Sequence, residues 1–186
     1  MRRILLFSAL LLLSDTLLAN TGERLREAGF SSGFELNREA LERKNQSVLT
    51  YLWIDVYAAA FYAPRQASPG DAFDAPLSQR LELYYFRDID REDVIEAAWT
   101  TLNRQHDART LEPLRDTLDA LHDNFRDIRT GDRYALNFSP SSGLTLERNG
   151  EIAFTSQNPQ LAKVYLGIWL APKGLSDDLR GRLLAP

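Results

Sequence analysis

His106 and His122 are the only two histidines in the chain, so chemistry that needs an imidazole base or a metal ligand would have to begin with them. They fall in different segments, and neither has a carboxylate or a second histidine at a ligand spacing such as HExxH. No metal site follows from them. His106 reads as part of a polar loop and His122 as a surface or boundary residue beside the apolar stripe of a helix. No serine occupies a GxSxG elbow, and Ser141-Ser142-Gly143 reads as a turn. With no cysteine, thiolate catalysis, cysteine zinc sites, iron–sulfur clusters and disulfides are all excluded. The ten glycines are scattered and form no phosphate loop. The acidic cluster Asp88, Asp90, Glu92 and Asp93 lacks the central glycine and distal glutamate of a calcium loop. It reads as carboxylates placed at a helix start by the backbone dipole. No pattern asks for a cofactor.

Aromatic side chains are what remain. Tyr51, Trp53, Tyr57 and Tyr62 lie on or just after one apolar stretch, and Tyr84, Tyr85 and Phe86 lie on the next. Such a set is either core with hydroxyls at a sheet edge or the wall of a pocket in which phenols orient a ligand. Spacing does not separate the two. On the pocket reading the candidate ligand-binding residues are Thr50, Tyr51, Trp53, Tyr57, Tyr62 and Tyr84, with no catalytic residue assigned.

The elements that must position these residues follow from the hydrophobic pattern. The 186 residues are 44% hydrophobic and 26% charged, ordinary globular composition, and the net charge of −4 offers no basic footprint for nucleic acid. Arg2 and Arg3 precede an apolar run from Ile4 to Leu13, too short for the roughly 20 residues of a membrane span. With the small Ala19, this predicts a signal peptide over residues 1–19 and an exported, periplasmic domain over 20–186 with no transmembrane segment. Phe34 and Leu36 begin a strand, Asn37-Arg38 turns it, and Ala40–Arg43 returns beside it. Ser47 to Phe61 reads as one central strand, apolar on both faces and therefore covered on both. Ala63–Pro76 reads as a loop and Arg80–Phe86 as a strand with Leu81, Leu83 and Tyr85 on one face.

A capping box of Asp90 and Asp93 opens a helix striped by Val94, Ile95, Ala98, Trp99 and Leu102. A second helix spans Glu112–Phe125. Strands return at Arg133–Phe138, Leu144–Arg148 and Glu151–Phe154, the last pair joined by Asn149-Gly150, a type I′ hairpin signal. Asn158-Pro159 and Ser176 open two closing helices. Strands, helices, strands and helices in that order predict an α+β fold with an antiparallel sheet.

The ordered set of motifs resembles the exported bacterial chalcone-isomerase-like proteins. Val48 to Tyr62 is similar to that family's Leu-Arg-Tyr … Lys-Val-Tyr-x-Ala-Ala-Leu-Tyr strand, and Leu81 to Ile89 to its second strand. Gly131-Asp132-Arg133-Tyr134, the Pro140 … Gly143 turn, Asn149-Gly150 and Ile168-Trp169-Leu170 follow in the family's order, across residues 34–184. The resemblance implies an open-faced β-sandwich, a long antiparallel sheet with helices layered on one face. It also implies where function departs. Chalcone isomerases place a catalytic threonine four residues before the Val-Tyr pair, and counting back from Val56-Tyr57 gives Leu52, which cannot donate a hydrogen bond. Their upstream arginine would fall near Ala40, with Arg38 and Arg43 close by. The bacterial family's strand arginine and lysine appear here as Thr50 and Asp55.

Three functions fit these residues. The first is a non-catalytic binder of a small apolar or fatty-acid-like ligand, since folds related to the family bind fatty acids. The second is an isomerase or intramolecular lyase on another substrate, using Tyr51, Tyr57 or Thr50 as donors. The third is a cell-envelope interaction scaffold, with the Ala63–Pro76 loop as its handle.

Overall fold

The computed structural model describes residues 21–186, and the expected signal peptide over residues 1–19 lies outside them. Seven strands form one sheet in chain order, each antiparallel to the next. They are β1 (Gly33–Leu36), β2 (Glu39–Tyr51), β3 (Ile54–Pro64), β4 (Gln79–Tyr85), β5 (Arg133–Ser139), β6 (Gly143–Arg148) and β7 (Glu151–Ser156). The helices are α1 (21–28), α2 (Pro69–Asp74), α3 (Arg91–Gln105), α4 (Ala108–Leu111), α5 (Arg115–His122), α6 (Pro159–Leu170) and α7 (Asp177–Leu183). The sheet curls into a half-barrel around the helices α+β style, with register shifts in β2 and β6 where it bends.

The stretch from Ser47 to Phe61 is two strands, not one. Leu52 and Trp53 adopt φ of 46° and 69°, the signs of a type I′ turn, and fold the chain back so that Val48 pairs with Ala58 and Leu49 with Tyr57. Asn and Gly are the usual occupants of such a turn, so a Leu-Trp pair gives no sequence signal of it. Conversely, the returning segment at Ala40–Arg43 and the start of the supposed central strand are one strand of 13 residues. Asn37-Arg38 and Asn149-Gly150 turn with the same left-handed signs, as their sequence predicts for the second pair.

Three helical expectations also shift. The Ala63–Pro76 segment contains α2, capped by the Ser68 side chain accepting from the Asp71 amide, with proline in its first turn. The expected helix over Glu112–Phe125 is α4, a 3₁₀ turn at Glu112–Leu114, and α5, because Pro113 cannot donate within a continuous helix. Asp90 stands at the start of α3 without a side-chain cap bond. Asp127 Oδ1 accepts from the Arg91 amide instead, at 3.2 Å. The acidic cluster divides accordingly, since Asp88 accepts from the Thr130 amide at 2.9 Å and ties down the loop before β5.

Strand alternation sorts residues onto two faces. Tyr57, Ala59 and Phe61 of β3, and Leu81, Leu83 and Tyr85 of β4, face the helical layer. Their neighbours Ala58, Ala60 and Tyr62 face outward, into a smaller cluster with Ala28 and Phe30. So α1 and the segment after it pack on the face opposite the main helical layer, which explains why β2 and β3 are apolar on both sides. The rest of the outer face is polar. Arg80 is buried there with Glu82 at 3.2 Å, Glu147 at 2.7 Å and Asn137 Oδ1 at 2.8 Å, its guanidinium over the Phe34 ring. Helix α6 is the centre of the inner layer: nine of its twelve residues are buried, so its apolar surface runs round the helix rather than along one stripe.

Candidate functional site

Between the inner face of the sheet and helices α3 and α6 lies a cavity of about 450 Å³. Leu83, Leu136 and Leu146 form its sheet wall, and Val94, Ala98 and Ile168 its helical wall. The aliphatic residues come from inward positions of the adjacent strands β4, β5 and β6 and from the i, i+4 row of α3, so the same pattern that builds the core also builds the wall. The lining reaches solvent at Thr50 and Tyr51, at the end of β2, and at Asp93 and Ala97 on α3.

Five aromatic groups organise one end. The Trp169 indole N–H donates to the Tyr57 hydroxyl at 3.0 Å, both groups buried. Tyr85 lies edge-on to Tyr57 with ring centroids 5.4 Å apart and edge-on to Tyr134 at 6.0 Å. Tyr165, one turn before Trp169 on α6, contacts the Trp169 ring at 6.2 Å. Burial pushes the Tyr57, Tyr85 and Tyr165 phenols far above their ordinary pKa, because a phenolate there would be stripped of water; the Trp169 bond offsets a little of this at Tyr57. The site therefore presents neutral hydroxyl donors at any physiological pH and no base among these phenols.

Of the six residues singled out from sequence, the structure brings Thr50, Tyr51 and Tyr57 to the cavity. It places Trp53 on the β2–β3 turn, 93% exposed. Tyr62 points to the outer face, its hydroxyl donating to the Ser31 carbonyl at 3.1 Å, where burial pushes it up to about 12. Tyr84 shares that outer face, beneath the Arg133 guanidinium at 4.8 Å. Thr50 itself donates to Asp55 Oδ1 at 2.8 Å. Sequence reasoning passed over Tyr85, Tyr134, Tyr165 and Trp169. For Tyr85 the signal was present, since it shares parity with Leu81 and Leu83, whereas Tyr84 does not.

The positions that the resemblance linked to catalysis stand apart from the cavity. Leu52 is on the exposed turn rather than on the wall. Arg43 donates to the Phe30 carbonyl on the outer face, and Arg38 occupies the β1–β2 turn. His122, expected at a boundary, is buried among Trp99, Phe125 and Tyr165. His106 closes α3 and is half-buried.

A curled antiparallel meander covered by helices over a partly open apolar cavity defines the class of protein. The chain belongs to the chalcone isomerase-like family, which it matches over residues 24–185. The solved structure of a fatty-acid binding protein from Arabidopsis thaliana is similar to it, with a TM-score of 0.62 across 83% of this chain and 90% of that one. At 15% identity that likeness is one of fold. No curated protein sequence matches the chain.

Proposed function

We propose that the protein is a non-catalytic binder of a small apolar or fatty-acid-like ligand, held in the cavity between the sheet and helices α3 and α6. The observation that carries this reading is the cavity itself: about 450 Å³, partly open to solvent and lined mainly by aliphatic and aromatic side chains, within the usual range for a small-molecule site. The fatty-acid binding protein of the same fold supports it. Thr50, Tyr51 and Tyr57 are the ligand-contacting candidates retained from sequence, with Tyr85, Tyr165 and Trp169 added. The absence of catalysis is proposed because Leu52, Arg38 and Arg43 all lie off the cavity wall. Asp93, the carboxylate that does reach the wall, is exposed at its rim. Export by a signal peptide over residues 1–19 and residence in the periplasm complete the proposal, on the strength of Arg2, Arg3 and the apolar run from Ile4 to Leu13.

The test is native mass spectrometry of protein recovered from the periplasmic fraction, then solvent extraction of anything bound and a thermal-shift panel of fatty acids and flavonoids. A co-purifying apolar molecule, or a melting temperature that rises with ligand occupancy, is expected. A clean apo mass together with no shift across the panel would reject the binding reading. Intact residues 1–19 on cytoplasmic protein would reject export. Chalcone cyclisation above the spontaneous rate, abolished in Tyr57→Phe, would replace the non-catalytic reading with an isomerase.

A further inference from the structure

The polar groups of the cavity are mostly neutral hydroxyls, which can donate as well as accept. The Tyr57 hydroxyl already accepts from Trp169, so its own proton needs another acceptor. Among the described residues, no protein group accepts the Tyr57, Tyr85 or Tyr165 hydroxyl proton. The Tyr85 ring meets those of Tyr57 and Tyr134 edge-on, Tyr57 is bonded to Trp169, and the Trp169 ring contacts Tyr165, which gathers these residues at one end of the cavity. The Tyr85 and Tyr165 oxygens are not among the fully buried atoms left without a partner, and both residues line the cavity, so an occupant there can accept from them.

Charge narrows what that occupant is. Among the described residues, no lysine, arginine or histidine lines the cavity, and Asp93 is the one formally charged residue that does. The helix starts nearest the mouth supply their own carboxylates, Glu92 and Asp93 on α3, and Asp177 and Asp178 following Ser176 on α7. Their dipoles are thus spent on the protein's own anions. Arg148 bonds the hydroxyl of Tyr134, but the phenols of Tyr57, Tyr85 and Tyr165 have no cation beside them, so an anion among those three would lose its water without a counter-charge.

We propose that the ligand offers these phenols a neutral carbonyl head (ketone, ester or un-ionised acid) on an apolar body, rather than a carboxylate anion. This deepens the binding reading above and rests on it. The hydroxyls of Tyr57 and Tyr85, whose rings meet edge-on, donate to the carbonyl oxygen, and the aliphatic walls take the chain.

The test is calorimetric titration of the domain with dodecane, 2-dodecanone and dodecanoate at pH 8, and with dodecanoic acid again at pH 5. The ketone is expected to bind about tenfold or more tightly than dodecanoate, with the acid gaining affinity as it protonates. The infrared carbonyl stretch of bound 2-dodecanone is expected at lower frequency than in hydrocarbon, moving back in Tyr85→Phe. Dodecanoate binding as tightly as the ketone at pH 8 would overturn the neutral-head proposal while leaving the cavity a ligand site. So would dodecane matching the ketone, or an unshifted carbonyl band in the unaltered protein, which needs no variant to fold. Failure of every probe to bind would remove the cavity reading and this proposal together.

Discussion

Burial lowers the His122 imidazole from its ordinary 6.5 to about 4, because an imidazolium packed against Trp99, Phe125 and Tyr165 has no water. The nearby charges split: Asp119 and Asp123 favour the cation, Arg91 and Arg115 oppose it. Neither ring nitrogen has a partner among the described residues. The unfolded chain binds a proton near 6.5 and the folded chain only near 4, so stability attributable to this group is complete above 6.5. It is lost as pH falls through that window, by up to about 3 kcal/mol at the acid limit. His122→Leu removes the imidazole and its unpaired nitrogens. Urea unfolding at pH 7 and pH 4 is expected to show the variant losing less stability than the parent across that interval. Parallel losses in the two proteins would mean that His122 stays neutral in the unfolded chain or is protonated in both states. Nothing in the sequence marked this residue as buried. Leu114, Leu118, Leu121 and Phe125 form the buried stripe that their spacing predicts, and His122, next to Leu121 and four residues after Leu118, widens it.

At the scale of elements, what was legible depended on whether a turn announced itself. β5, β6 and β7 were bounded by Gly131-Asp132, Pro140 … Gly143 and Asn149-Gly150, residues whose backbone preferences demand turns, and their strands appear within a residue or two of expectation. The β2–β3 hairpin had no such marker, since Leu52 and Trp53 hold left-handed φ values that side chains with a Cβ adopt at a cost. Both are largely exposed, 69% and 93%, so little packing opposes their replacement. The double substitution Leu52→Asn with Trp53→Gly puts the favoured type I′ pair at this turn and is expected to stabilise the protein by about 1 kcal/mol, or roughly 3 °C in melting temperature. A lower melting temperature would show that the apolar tip packs against something the folded chain needs. Missing this one turn also explains the mixed outcome for the site. With a single strand from Ser47 to Phe61, Trp53 fell on the same face as Tyr57. With a turn at 52–53, Tyr57 faces the helices while Trp53 leaves the sheet altogether.

Over the whole molecule, the two faces of the sheet divide the work. The outer face is held by the buried Arg80 cluster and by the segment from α1 to β1, while the inner face carries the larger core and leaves part of it unfilled. A space lined by Leu83, Leu136, Ala98 and Ile168 forgoes contacts that a close-packed interior would make. A fold that keeps such a space stands to gain stability when an apolar molecule, or its own side chain, occupies it. Ala98 projects from the middle of α3 into the cavity and is almost fully buried. Ala98→Leu adds three carbons there, for a gain of up to about 2 kcal/mol if they find room without strain. The ligand-free variant is therefore expected to melt higher than the parent, and the further rise produced by an apolar ligand is expected to shrink or vanish. Leucine at this position keeps helix propensity high, so a changed response reports on the cavity rather than on α3. An unaltered ligand shift in Ala98→Leu would place the ligand elsewhere on the molecule. Loss of the shift with an unchanged fold would tie binding to the space between α3 and the sheet.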